Sequence, residues 1–154
     1  MQPLSGSGCR VLIADDDDLF RASAAAVLTR AGFSVLQAVD GPDVLEWARV
    51  GWELGLRAPD VVIFDVHMPS LSGLELLAEV RSAGCTTPVI LVTALCDDEI
   101  REAAKRLGAA TLLEKPFEAE SLLTAVVNAT WLDAMRRASR PRYVPKRPEP
   151  LTPA

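Results

Sequence analysis

A chain of 154 residues with 49% hydrophobic content suits one domain with an ample buried core. Its net charge of −5 is unevenly spread: residues 129–154 hold six Lys or Arg against two acids, which leaves −9 on the remainder, a balance that argues against general nucleic-acid binding. No apolar stretch approaches the roughly 18 to 20 residues that cross a bilayer, and the opening residues lack the charged start and apolar core of a secretory signal, so a cytoplasmic chain is expected.

In chain order, residues 1–9, with Gly6 and Gly8, read as a flexible leader. A continuous apolar run at 11–14 ends in Asp15, Asp16, Asp17 and Asp18, and helical spacing follows over 19–31, with Asp17 or Asp18 as its cap and Gly32 after it. Residues 33–38 form a second extended run, more broken by polar groups. The next helix spans 42–50, with Pro42 in its first turn. A third apolar run, 61–64, leads to Asp65, and Ser72 or Gly73 opens a helix over 74–83 that Gly84 closes. The run 89–92 leads to Thr93, a helix covers 97–107 before Gly108, and residues 111–114 lead to Lys115 and Pro116. A last helix runs from 118 to about 137, apolar at Leu122, Leu123, Val126, Val127, Thr130, Trp131 and Ala134, a spacing that reads first as a core-facing stripe at its early positions, with Trp131 near the end as a candidate for exposure.

Short, continuous, β-branched runs fit central parallel strands buried on both faces, so 33–38 and 111–114 are the expected edges. Five alternating units predict an α/β fold: a flavodoxin-like, doubly wound, five-stranded parallel sheet in order 2-1-3-4-5 with five helices. The domain should occupy 10–130. Residues 131–154 comprise the helix end and a tail rich in Pro and Arg, expected to be disordered.

Ligands of such sheets bind outside the carboxyl ends of the strands, where Asp15, Asp16, Asp65, Thr93 and Lys115 are all stationed. Three carboxylates gathered there repel one another unless a cation is bound, and hard oxygen ligands suit Mg2+, which completes its shell with water and phosphate oxygens. A phosphoryl group is the expected substrate. Cys9, Cys85 and Cys96 have no metal-ligand spacing and read as reduced thiols.

The run V-L-I-A-D-D-D-D, the D-V-H-M-P-S-L-S-G segment headed by Asp65, V-I-L-V-T-A and L-E-K-P-F, in that order, resemble a bacterial response-regulator receiver domain over residues 10–130. The resemblance implies a switch of a two-component or phosphorelay system, in which Asp65 accepts a phosphoryl group from a sensor histidine kinase or histidine phosphotransfer protein. It further implies that Asp16 and Asp65 ligate Mg2+ directly, Asp15 mainly through water, and His67 through its backbone carbonyl. Thr93 and Lys115 would bind phosphoryl oxygens, and the Lys115–Pro116 bond would be cis. The expected output is contact with a downstream protein target by a single-domain regulator, with no membrane partner. A homodimer is expected to use Trp131 with the fourth-helix and fifth-strand face.

Two features depart from the family pattern. Leu112 stands three residues before the lysine, where an aromatic switch residue is common, and the stretch 49–59 looks a few residues long, which makes its loop a candidate for partner specificity. His67, the sole histidine, reads first as a surface residue, but its place beside Asp65, with Leu95 opposite, suggests that the pair controls water entry to an aspartyl phosphate. The basic tail reads as solvated.

Two other classes compete. A phosphatase of the haloacid dehalogenase type also uses a strand-end aspartate, but Leu19 stands where its motif has Thr or Val, and its later acidic pair is missing. A phosphorylation-independent adaptor would keep the fold without the chemistry; Leu112 leans toward it, and the complete acid, Thr and Lys set against it.

Overall fold

The computed structural model describes residues 8–54 and 58–138. Most of the leader, residues 55–57 of the long 49–59 stretch, and the tail from 139 onward lie outside the described residues.

The expected strands form as β1 (Arg10–Ala14), β2 (Ser34–Ala38), β3 (Val61–Asp65), β4 (Val89–Thr93) and β5 (Thr111–Glu114). They pair in parallel in the order β2-β1-β3-β4-β5, as the five-unit pattern predicts. Every residue of β3 and β4 is buried, whereas β2 and β5 are largely half-exposed, so the continuous apolar runs are central and the broken ones lie at the edges.

Successive side chains along each strand face opposite sides of the sheet, which gives two cores. Val11, Ile13, Val61, Ile63, Ile90 and Val92 pack with Leu28 of α1 (Asp18–Arg30) and with Leu122 and Val126 of α5 (Ala119–Ala138). Leu12, Ala14, Val62, Phe64, Val89 and Leu91 pack with Val44 of α2 (Gly41–Glu53), Leu76 and Leu77 of α3 (Gly73–Ser82) and Ala104 of α4 (Asp98–Arg106). The sheet is thus the middle of three layers, with helices on both faces.

Local signals place the helix ends. Asp17, Ser72 and Asp97 are the N-caps of α1, α3 and α4, each accepting backbone N–H bonds of the first turn. Gly32, Gly84 and Gly108 adopt φ of 95°, 83° and 79°, the left-handed turn that a glycine allows after a helix.

Two expectations are adjusted. Helix α2 runs to Glu53 rather than ending near 50, because a single interior glycine, Gly51, costs only about 1 kcal/mol and no proline intervenes before Pro59. On α5 the core stripe is Leu122, Ala125, Val126, Ala129 and Thr130, while Val127 turns outward, 37% exposed; Trp131, 43% exposed, lies outward as its place near the helix end suggests. The 3.6-residue period sends positions 127, 131 and 134 to the face opposite the sheet. The buried Thr130 hydroxyl donates to the carbonyls of Val126 and Val127.

Candidate functional site

The strand order reverses direction between β1 and β3, and the acids that follow these strands meet at that switch point. One carboxylate oxygen from each of Asp15, Asp16 and Asp65 falls within a cluster 4.8 Å across. Asp15 and Asp65 are buried, and Asp16 is exposed at the mouth.

Backbone groups hold the carboxylates in place. Asp15 Oδ1 accepts from the Asp17 N–H at 2.9 Å, and Asp65 Oδ1 accepts from the His67 N–H at 2.9 Å. The loop after β3 then closes on Gly73, whose N–H donates to the Val66 carbonyl at 3.1 Å. A Cβ at Gly73 would overlap the Asp65 carbonyl oxygen, so only glycine lets α3 start this close to the phosphoacceptor candidate.

Lys115 arrives from the end of β5, where its N–H donates to the Thr93 carbonyl at 2.7 Å and its bond to Pro116 is cis, as the resemblance implies. Its ammonium donates to Asp15 Oδ2 at 2.7 Å and Asp65 Oδ2 at 3.0 Å. Three carboxylates against one ammonium leave two negative charges in the cluster. Burial pushes the Asp15 carboxyl above its ordinary value, the Lys115 and Asp17 hydrogen bonds pull it back, and the Asp65 charge adds to the rise. For Lys115, burial acts downward but the bonds and charges of Asp15 and Asp65 outweigh it, so the ammonium is held above its ordinary value. The net charge and the all-oxygen donor set are what a hard divalent cation requires.

Thr93 ends β4 fully buried, with its hydroxyl donating to the Leu95 carbonyl at 3.0 Å and accepting from the Leu95 N–H at 3.2 Å. It therefore faces the β4–α4 loop. His67 is exposed beside Asp65, and Leu95 is 72% exposed. Leu112 pairs in register with Leu91 and packs, half-buried, against the core on the α2, α3 and α4 face.

Two contributors escape the motif reading. Arg21 on α1 donates to the Asp15 carbonyl at 2.6 Å and to Asp18 Oδ1 at 2.6 Å, bracing the acidic loop. The Phe20 ring lies under the Lys115 ammonium, 3.9 Å from Nζ to the centroid. Neither leaves a sequence signal beyond its place in the first turn after the acids.

An acid pocket with one lysine, set at the switch point of a five-stranded doubly wound sheet, defines a flavodoxin-like α/β domain with a cation-suited site. Residues 11–127 match the family described as the response regulator receiver domain, and the chain belongs to that family of two-component signalling domains. Phosphoaspartate and Mg2+ are characteristic of it.

The chain is 35% identical over 133 residues to the transcriptional regulatory protein DltR of Streptococcus agalactiae, covering 86% of this chain and 57% of DltR. It is 35% identical over 118 residues to the transcriptional regulatory protein PdtaR of Mycobacterium tuberculosis, covering 76% and 54%. This chain therefore spans about half the length of these relatives. The chemotaxis protein CheY4 of Vibrio cholerae superposes with a TM-score of 0.70 at 32% identity, over 79% of this chain and 98% of CheY4.

Among the described residues no helix is long and apolar enough to cross a membrane.

Proposed function

We propose that residues 10–130 form a Mg2+-dependent phosphoacceptor switch in which Asp65 takes a phosphoryl group from a phosphohistidine on a sensor kinase or phosphotransfer protein. The observation that carries this reading is the Lys115 ammonium bonded to Asp15 and Asp65 within the three-carboxylate cluster.

In the proposed step an Asp65 carboxylate oxygen attacks phosphorus, the P–N bond to the donor imidazole breaks, and the leaving nitrogen keeps the electron pair and takes up a proton from solvent. Asp16 and Asp65 would hold Mg2+, with the His67 carbonyl, and with Asp15 through water; the ion supplies charge neutralisation at the phosphoryl oxygens. Lys115 exchanges a carboxylate for a phosphoryl oxygen, and adds the second positive charge where phosphoryl transfer needs it. Thr93 turns its hydroxyl from Leu95 to another phosphoryl oxygen, which draws on the β4–α4 loop.

The acyl phosphate carries nearly two negative charges, and its bonds to Thr93 and Lys115 exist in one conformer only, so phosphorylation shifts the population toward it. The output is a change in protein-partner binding. Because Leu112 already packs into the core, repacking there is a smaller motion than an aromatic ring swing. A homodimer would use Trp131, exposed on α5, together with the α4 and β5 face. The free thiols of Cys85 and Cys96 suit the cytoplasm, where kinase and phosphotransfer partners would meet this chain.

Intact mass after incubation with Mg2+ and acetyl phosphate tests the proposal. One phosphoryl adduct that requires Mg2+ and disappears in Asp65→Asn is the expected result. No adduct under any condition shifts the reading to a phosphorylation-independent adaptor, and steady phosphate release from generic phosphoesters shifts it to a phosphatase.

A further inference from the structure

The Lys115 ammonium has three donor directions, and the two carboxylate oxygens of Asp15 and Asp65 take two of them. The remaining side faces the Phe20 ring, with Nζ 3.9 Å from the centroid, inside the range over which an aromatic face attracts a cation. The lysine side chain is only 15% exposed, so the attraction acts with little competing water.

Phe20 is itself fixed from three directions. Its N–H is capped by Asp17 Oδ1 at 3.1 Å, and the next residue, Arg21, ties α1 to the Asp15 carbonyl at 2.6 Å. The ring meets Phe117 edge-on, with centroids 5.6 Å apart and planes at 89°, a favourable arrangement of aromatic quadrupoles. Phe117 lies two residues beyond Lys115, so the same turn that delivers the ammonium also delivers the brace behind the ring.

We propose that Phe20 is a positioning residue for Lys115, its ring forming a fixed seat that keeps the ammonium aimed at Asp65 while Lys115 exchanges carboxylate for phosphoryl oxygens. This rests on the phosphoacceptor reading above. During the exchange the carboxylate bonds must loosen, and an ammonium held by them alone would turn to solvent. The ring makes no directional bond that has to break, so it holds the ammonium at every stage. Phe20 touches neither phosphorus nor the accepting oxygen and acts only through Lys115.

The experiment compares the wild-type chain with Phe20→Leu and Phe20→Tyr by two readouts. The first, without Mg2+ or phosphodonor, is the proton NMR position of the Lys115 ε-methylene group, one bond from Nζ. A ring beneath it displaces these signals upfield in the wild type and the Tyr variant, and the Leu variant returns them to ordinary lysine positions. The second is the rate of adduct formation from acetyl phosphate with Mg2+. Loss of the ring is expected to slow it about fivefold, and Tyr, which keeps the π face, to restore it to within about twofold. A structural role alone would not give both the displacement and the rescue.

An adduct rate in Phe20→Leu equal to wild type overturns the positioning role while leaving the phosphoacceptor reading intact. Undisplaced Lys115 signals in the wild type overturn it as well, and that measurement stands even if the Leu variant fails to fold. A wild-type chain that takes up no phosphoryl group brings down the phosphoacceptor reading, and the role of Phe20 with it.

Discussion

The Lys115 ammonium lies 3.0 Å from Asp65 Oδ2 although 50 residues separate the two in the chain. Its second bond, to Asp15 Oδ2 at 2.7 Å, spans 100 residues and ends on a carboxylate with no solvent exposure. Replacing Lys115 with Met would leave Asp15 buried without its cation. The expected cost is about 3 kcal/mol of stability, seen as a lower urea midpoint without divalent ions. Adduct formation on Asp65 should slow by about 10²-fold, the scale of losing one aimed charge. An adduct rate near wild type in this variant would remove Lys115 from the proposed chemistry.

Asp15 sets a pH dependence. Burial is the largest influence on its carboxyl and raises it, so ionisation costs the folded state more than the unfolded one. Stability is then fully present below the ordinary carboxylate value and falls as pH rises through the raised one. Lys115, held above its own ordinary value, keeps its contribution throughout the interval from about pH 5 to 8. In EDTA the stability gap between wild type and Asp15→Asn should therefore move against wild type as pH rises above the ordinary carboxylate value. Mg2+ should raise the melting temperature of the wild type more than that of the variant. A gap independent of pH would contradict the burial argument.

Gly73→Ala should destabilise the fold by about 1 to 3 kcal/mol, because the added methyl meets the Asp65 carbonyl oxygen and must push α3 away from β3. The same shift displaces the accepting carboxylate, so phosphorylation should slow along with it. Chemical denaturation and the adduct assay together check this, and an unaffected variant would mean the α3 start moves freely.

Thr93 joins strand to loop through both bonds to Leu95. Thr93→Ala should speed backbone amide exchange at Leu95, while Thr93→Ser, which keeps the hydroxyl, should not. Equal exchange in all three proteins would show that the loop is held by other contacts.

His67 and Leu95 stand exposed on the loops after β3 and β4. Replacing both with Ala is expected to shorten the lifetime of the phosphorylated protein, since water would reach the acyl phosphate more freely. The check is decay of the adduct mass after removal of the donor. An unchanged half-life would assign water access to other side chains.

Much of this architecture is written in local pattern. The apolar runs of β1, β3 and β4 are central because their side chains are apolar on both faces, and the polar interruptions in β2 and β5 put those strands at the edges. Asp17, Ser72 and Asp97 open helices because a short polar side chain satisfies the first N–H groups wherever a helix begins. Asp15, Asp16, Asp65 and Lys115 come together because each ends or closely follows a strand, and parallel strands end on one side of the sheet.

The finer arrangement was not legible, for the same physical reason in each case. A period of 3.6 residues shows that α5 has a buried stripe, but the register against the sheet sends Val127 outward. The place of Phe20 under Lys115 depends on how the first turn of α1 meets the turn after β5, two segments with no shared local pattern. Strand ends, caps and turns follow from interactions within a few residues, and so are carried by the order of amino acids. Which ring seats the ammonium and which arginine braces the acidic loop follow from packing between distant segments, where side-chain direction and interlayer distance exist only once the three layers have closed.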